Sequence, residues 1–491
     1  MRNSSDIMNL TSSKHGWHKK RGVGYPMKKR FLALTIAVLM ALCVIPFAAS
    51  ADDAEVTIRV GGWPEEATDP VSYAAYAGYL EKMNELYPNI TVIQDSYSFD
   101  LQTYLPLAAS GQLPTFYGVH FTECQKLINN GYAGDITDTM AQYGYDKFLS
   151  PDALKLVEKD GRYYGLPTAY YANGIAYNVA LFEKAGLINE DGTAKIPATW
   201  EELAEFAAKI KETSGVPGFQ FYSKDNMGGW MFTNLAWCFG AENLEVMAED
   251  GTYTAAVNSE GAVAAMQYLK DLRWKYNVLP DTLIASRTEG MQWMSVDQLG
   301  MMITPPDVFG NMCRTYGIAA TNLGEFSIPS GPNGAHAVLT GGSANMFNPD
   351  ATPEEVDAAF KWLAVTGYTP ECTDDVKTAM EENVKAQLAD GNVVSNLNMS
   401  VWVGGDKREA EVAINEKYQN IDPTKMTDYM ANGSKDLHPE EPVEVQALYA
   451  MLDSVIQEVF TNENADVQAL LDSVNADFQS QYLDPYNDTL K

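Results

Sequence analysis

The chain has 491 residues, 46% of them apolar, which is more than one hydrophobic core normally serves, so two lobes are expected. Its 65 Asp and Glu against 34 Lys and Arg give a formal net charge of −31. Such a surface repels nucleic acid and anionic lipid and leaves neutral or cationic ligands as the compatible classes.

Residues 1–26 carry no hydrophobic pattern and read as a disordered leader or an over-extended start. Met27 then opens a second start: Lys28, Lys29 and Arg30 precede an apolar run from Phe31 to Ile45, followed by the small residues Ala49, Ser50 and Ala51. Residues 27–51 therefore read as a secretory signal peptide, too short and wrongly flanked for a spanning helix. Leu42 stands where a lipoprotein site before Cys43 needs a small residue, so release after Ala51 is expected in preference to lipidation. The protein is expected to be secreted across the cytoplasmic membrane, to the periplasm or the cell surface. Of the remaining cysteines, Cys124, Cys238, Cys313 and Cys372, none forms a C-x-x-C pair. One or two disulfides and free buried thiols are both open readings.

From Val56 the chain alternates strand-like and helix-like segments: VTIRVGG, an amphipathic stretch from Tyr73 to Leu86, NITVIQD, a helix to Ser110, PTFYGVH, and a helix to Asn130. This alternation predicts an α/β fold whose lobes are mostly parallel sheets flanked by helices. Ligands of such sheets sit outside the strand carboxyl ends, which makes Trp63, Glu65 and Tyr117 candidates from the first lobe.

Tyr163 to Gly186 is the most informative stretch, because strand, turn and helix follow one another there almost without loop. Gly165 and Pro167 punctuate an extended aromatic run, Asn173-Gly174 reads as a turn, Asn178 can cap a short helix and Gly186 can stop it. Thr199 and Glu202 fit a capping box, Leu203, Phe206, Ala207 and Ile210 repeat at helical spacing, and Gly215 ends the pattern. A strand that leaves one body and feeds another makes a hinge, and Tyr170 and Tyr171 would line its cleft. A second set of segments runs from Gly174 to Phe309, including LGMMITPP; FSIPSGPNGAHAVLTGGSANMF reads as strands that rejoin the first lobe, and the chain beyond Thr369 is helical in pattern. Lobe 1 is accordingly expected from residues 52–166 and 325–368, and lobe 2 from 167–324 and 369–491.

The ordered set LYPNITV, ASGQLP, Gly131-Tyr132 with DITD, GLPTAYYANGIAYNVALFEKAG, TWEEL, NSEGAVAAMQYLKDL, QLGMMITPP, LTGGSANM with AAFKWLAVTG, and ALYAMLDSVIQEVF resembles family 1 extracellular solute-binding proteins, the receptors of bacterial carbohydrate ABC importers. Two departures stand out: Pro114-Thr115 replaces the family's Pro-Asp, and the lipoprotein cysteine of many relatives is lacking. The resemblance implies two α/β lobes joined by crossing strands and a sugar or oligosaccharide gripped between them. It also implies delivery to permease subunits, with no enzymatic step, no cofactor and a monomeric state.

A sugar ring presents C–H faces and a rim of hydroxyls, so its site needs flat aromatic surfaces and a few fixed polar groups. Trp63, Tyr170, Tyr171, Trp230, Phe309 and Trp402 supply the aromatic class, and Glu65 and Asp307 the acceptors. Each aromatic also reads as core packing, and Trp237 and Trp293 read as core first. A secreted glycosidase would want the same residues, and a sensor presenting ligand to a membrane receptor would share the fold. No HExxH, G-x-S-x-G or P-loop occurs, and the Asp-Gly turns at Asp191 and Asp250 lack the rest of a calcium loop, so no metal is expected.

Overall fold

The computed structural model describes residues 55–490, so the leader, the signal peptide and Cys43 lie outside the described residues. In the first lobe β1 (Val56–Val60) runs parallel to both β2 (Ile90–Gln94) and β3 (Phe116–His120). The connections are α1 (Pro70–Leu86) and α2 (Leu101–Ala109), and α3 (Phe121–Asn129) follows β3. Asp69 caps α1 by accepting from the Ser72 amide, with Pro70 in the first turn, where its missing N–H costs nothing. Ile58, Val60, Met83, Val119 and Leu127 form the centre of this lobe's core.

β4 (Gly165–Ala172) is the edge strand of that sheet, and after Asn173 alone the chain enters β5 (Gly174–Asn178) of a second sheet. Asn178 then caps α4 (Val179–Lys184) by accepting from the Leu181 amide, and Gly186 takes the left-handed conformation that ends it. In α5 (Trp200–Ser214) Thr199 caps the Glu202 amide, but the Glu202 carboxylate accepts from Ala198 rather than closing a capping box on Thr199. Leu203, Ala207 and Ile210 are buried and Phe206 half-buried, as one apolar face requires.

The second sheet continues with β6 (Phe219–Gln220), α6 (Met227–Cys238), α7 (Glu260–Trp274), β7 (Met301–Thr304), α8 (Phe309–Tyr316) and β8 (Leu323–Ser327), in the strand order β8-β5-β7-β6. β7 pairs parallel with β6, whereas β5 pairs antiparallel with both β7 and β8. This lobe is therefore more mixed than the expected parallel sheet, because β5 arrives from the other lobe and runs against its neighbours.

The chain crosses back in β9 (Val338–Phe347), which pairs antiparallel with β3 and β4. All of β8 lies in the second sheet, so the return falls after Ile328 and not at residue 325. A third passage follows α9 (Pro353–Val365), which packs in the first core. The helices α10 (Asp374–Ala389) and α11 (Asp406–Tyr418) enclose a small core of their own, Val384, Val394 and Ile414. Between them Val401 and Trp402 pack with the first lobe, so residues 369–491 are not one block of the second. β10 (Leu437–Pro439) adds to β9, and α13 (Val445–Thr461), after α12 (Thr427–Asn432), and α14 (Val467–Phe478) complete the second core. Cys124, Cys238, Cys313 and Cys372 are free thiols, which resolves the open reading against a disulfide.

Two local arrangements fix the second lobe. Asp453 of α13 accepts from the Gly229 and Asn226 amides at 2.8 Å each, capping the start of α6. A Cβ on Gly229 would stand 2.3 Å from the Tyr449 carbonyl oxygen, so glycine is what lets the two helices approach. Beyond β10, the buried Glu441 carboxylate accepts from Trp237 Nε1 and from the Leu244 and Glu245 amides, while Glu245 accepts from Val443. Burial raises the Glu441 carboxyl to about 7, with those three donors opposing.

Gly229→Ala is expected to destabilise the protein by roughly 1–3 kcal/mol through overpacking, read by urea denaturation; a change within experimental error would contradict the close approach. Because the folded pKa of Glu441 lies above the unfolded value, its contribution is fully present below about pH 4.5 and is lost as pH rises through about 7. Denaturation free energies measured across that interval should fall less steeply in Glu441→Gln than in the wild type, and an unchanged slope would remove Glu441 as the source.

Candidate functional site

The carboxyl end of β3 in one lobe pairs with β9 at Ser343 and that of β7 in the other pairs with Gly174 at the crossing, and strand carboxyl ends are where sheets of this kind leave a crevice. Successive residues of β4 point to opposite faces, so Tyr170 and Tyr171 serve different surroundings. The Tyr171 ring lies edge-on to Trp230 with centroids 6.3 Å apart. It rests on β9 at Gly341, where a Cβ would meet the Tyr171 hydroxyl at 2.3 Å. Trp230 stands at the start of α6, behind the glycine pair that α13 requires.

Polar groups converge on these two rings. Tyr449 donates to Glu440 at 2.7 Å, and Trp230 makes a second bond to the same carboxylate. Burial raises Glu440 to about 7 against the pull of those two donors. Asp307, just past β7, is raised by the crowding around it although its carboxylate reaches solvent, and Arg287 pulls it the other way. Both acids raise the Tyr171 phenol after burial itself. Across the crevice, Lys126 of α3 pairs with Glu444 of the second lobe at 3.5 Å and lies 5.4 Å from the Tyr486 ring centre. The result is an aromatic pair, two carboxyls and an ion pair that spans the lobes.

Several residues expected at the site lie elsewhere. Gly62 and Trp63 donate their amides to the carbonyls of Tyr97 and Asp95, which folds the loop after β1 back and puts the Trp63 indole 5.0 Å from Tyr76 and 5.4 Å from Trp362 in the first core. Tyr117 is fully buried, its hydroxyl donating to Tyr104, and Phe309 is fully buried in the second core. These three corrections share one cause: an aromatic beside a strand end can turn inward as readily as toward the crevice. Glu65 is exposed at the approach to α1, where its carbonyl accepts from Asp69. Tyr170 packs into the first core, and together with Asp307 and Trp402 it lines a cavity of about 640 Å³ beside β4. Trp237 is buried and stacks on His438 at 3.8 Å, and Trp293 is half-buried against the second core.

Glu440, Tyr449, Arg287, Lys126 and Glu444 were missed by sequence reasoning. The signal for the first was the Pro439-Glu440-Glu441-Pro442 run just before an apolar helix, where prolines fix a short turn carrying two acids. Among the described residues no group of three or more His, Cys, Asp or Glu could hold a metal, and no helix is long and apolar enough to cross a membrane.

A binding protein of Brucella abortus is 28% identical over 338 residues, covering 65% of this chain and 74% of that relative. Many solved structures share the fold. A solute-binding protein of Thermotoga lettingae, bound to α-D-tagatose, has a TM-score of 0.57 at 18% identity and covers 87% of this chain and 99% of its own. The cyclic α-maltosyl-1,6-maltose binding protein of Arthrobacter globiformis reaches 0.60 at 20% identity, over 87% and 98%. UgpB of Mycobacterium tuberculosis, in complex with glycerophosphocholine, also reaches 0.60, at 15% identity over 86% and 98%. Residues 75–376 match the family described as bacterial extracellular solute-binding protein, and with that match spanning both sheets and the crossing strands, the chain belongs to this family.

Proposed function

We propose that this protein is the extracytoplasmic binding subunit of an ABC importer, capturing a sugar or oligosaccharide between its lobes and delivering it to membrane permease subunits. The observation that carries the reading is the Tyr171–Trp230 pair with Glu440 and Asp307 beside it. Aromatic faces match the C–H faces of a pyranose, and the carboxyls accept from its hydroxyls. A ligand touching both lobes binds the closed arrangement better than the open one and so shifts the population toward it. The permeases would then read the closed surface. The protein acts as a monomer and changes no covalent bond in its cargo. The tagatose-bound structure and the maltosyl-maltose binding protein of the same fold support this reading, and a signal peptide at residues 27–51 supports its place outside the cytoplasmic membrane.

In a thermal-shift screen of neutral mono- and oligosaccharides, at least one is expected to raise the melting temperature without being cleaved. Trp230→Ala should then weaken that ligand by ~1–3 kcal/mol in calorimetry while the protein stays folded. Unchanged affinity would remove Trp230 from the site, and released product would make the protein a hydrolase.

A further inference from the structure

Glu123 and Lys126 stand three positions apart on α3, so they share one face of that helix, the face from which Lys126 reaches Glu444 in the other lobe. The helix itself is fixed to the first lobe. Phe121, Cys124, Leu127 and Ile128 are buried in its core, and Gln125 Nε2 donates to the Leu156 and Glu158 carbonyls at 3.1 Å each. Glu444 is equally fixed to the second lobe. It precedes α13 in the left-handed conformation at φ 49°, which residues other than glycine seldom adopt, and its carbonyl accepts from the Ala447 amide at 2.9 Å. The Val443 amide just before it donates to Glu245 at 2.8 Å. Tyr486 lies against Lys126 on a C-terminal turn tied to the second lobe by Asn487, which exchanges two hydrogen bonds of 2.8 Å with the Tyr253 backbone.

Two acids therefore compete for one ammonium. In this structure Lys126 takes Glu444, with only 15% of its side chain exposed. Glu123 is left with Oε2 buried and without a hydrogen-bond partner among the described residues, a costly position for a carboxyl oxygen. Burial pushes the Glu123 carboxyl upward, Lys126 pulls it down, and Glu444 across the crevice pushes it up again. We propose that Lys126 is a two-position latch that sets the resting balance of the lobes, pairing with Glu444 when they are together and with Glu123 when they are apart. The proposal rests on the reading that the lobes open and close around a ligand, and it names what regulates that motion. Parting the lobes carries Glu444 away with α13, while Glu123 stays beside Lys126 on its own helix and gains both its ion pair and access to water. One ion pair is exchanged for another, which keeps the two arrangements close enough in free energy for a ligand's preference to move the population. These three residues thereby tune apparent affinity without touching the ligand.

The test reads the Lys126 amine directly, in the purified protein without added saccharide. Acetylation by a limiting dose of N-hydroxysuccinimidyl acetate is followed at Lys126 by mass spectrometry, with Lys155, whose side chain is 71% exposed, as the internal reference. Glu444→Gln removes the partner across the crevice and should speed Lys126 acetylation about fivefold. Glu123→Gln removes the competitor and should slow it about twofold, and Glu123→Ala, a second route to the same loss of charge, should do the same. An acid that acted on the amine through its charge alone would give one sign for both positions, because losing either acid makes the amine easier to deprotonate. Opposite signs are the expected result, with melting curves confirming the fold of each variant. Faster or unchanged acetylation in the Glu123 variants, or unchanged acetylation in Glu444→Gln, would overturn the proposal. No saccharide takes part, so a failed latch leaves ligand capture standing, and a failed saccharide screen leaves the acetylation result standing.

Discussion

Everything in this structure depends on the crossing at Ala172, Asn173 and Gly174, where an extended chain leaves one core and joins another with a single residue between sheets. The passage has almost no room: a Cβ on Gly174 would stand 2.3 Å from Glu325 Oε1 and 2.8 Å from the Tyr429 ring. Tyr429 donates to the Ala172 carbonyl at 2.8 Å and pins the strand from the side. Yet both Asn173 side-chain polar atoms and both Glu325 oxygens are buried there without a hydrogen-bond partner among the described residues. Burial first, and the Asp307 charge second, push the Glu325 carboxyl well above the ordinary range. Such under-satisfied groups are costly in a static core. Their concentration at a point through which two lobes would turn fits a place where polar partners change with conformation.

The same constraint explains the placement of the acids. The chain as a whole is strongly acidic, but the two carboxyls facing the crevice, Glu440 and the solvent-reaching Asp307, are both shifted upward. A carboxyl raised to about 7, as Glu440 is, can both donate and accept, which suits a hydroxyl-bearing ligand better than a bare anion does. The ion pair of Lys126 with Glu444 gives the two lobes a direct electrostatic contact at the same mouth. It is half-buried, so its worth depends on how far closure dries it.

How much of this could be read from the sequence follows from whether the cause is local. Asn178, Gly186, Thr199 and Gly215 act within a few residues, and the elements they bound match the expected ones closely. The strand and helix alternation of the first lobe was equally readable, because turn and capping chemistry marks each boundary. Trp63 was not, since its direction is set by hydrogen bonds to Asp95 and Tyr97, a strand away. Tyr117 and Phe309 failed for a related reason: alternation assigns a face of a strand, not whether that face meets a core or a crevice. Glu440 and Glu441 carry only their flanking prolines as a local mark in so acidic a chain. The small core between α10 and α11 left only a generic helical pattern, so its cavity had no sequence signature.

The most direct measurement of the central claim, that the lobes turn about this crossing to enclose a ligand, is small-angle X-ray scattering of the purified protein with and without a saccharide that stabilises it. The account predicts a smaller radius of gyration at saturation, with the decrease tracking occupancy. A saturated protein whose scattering curve is superimposable on that of the free one would contradict it.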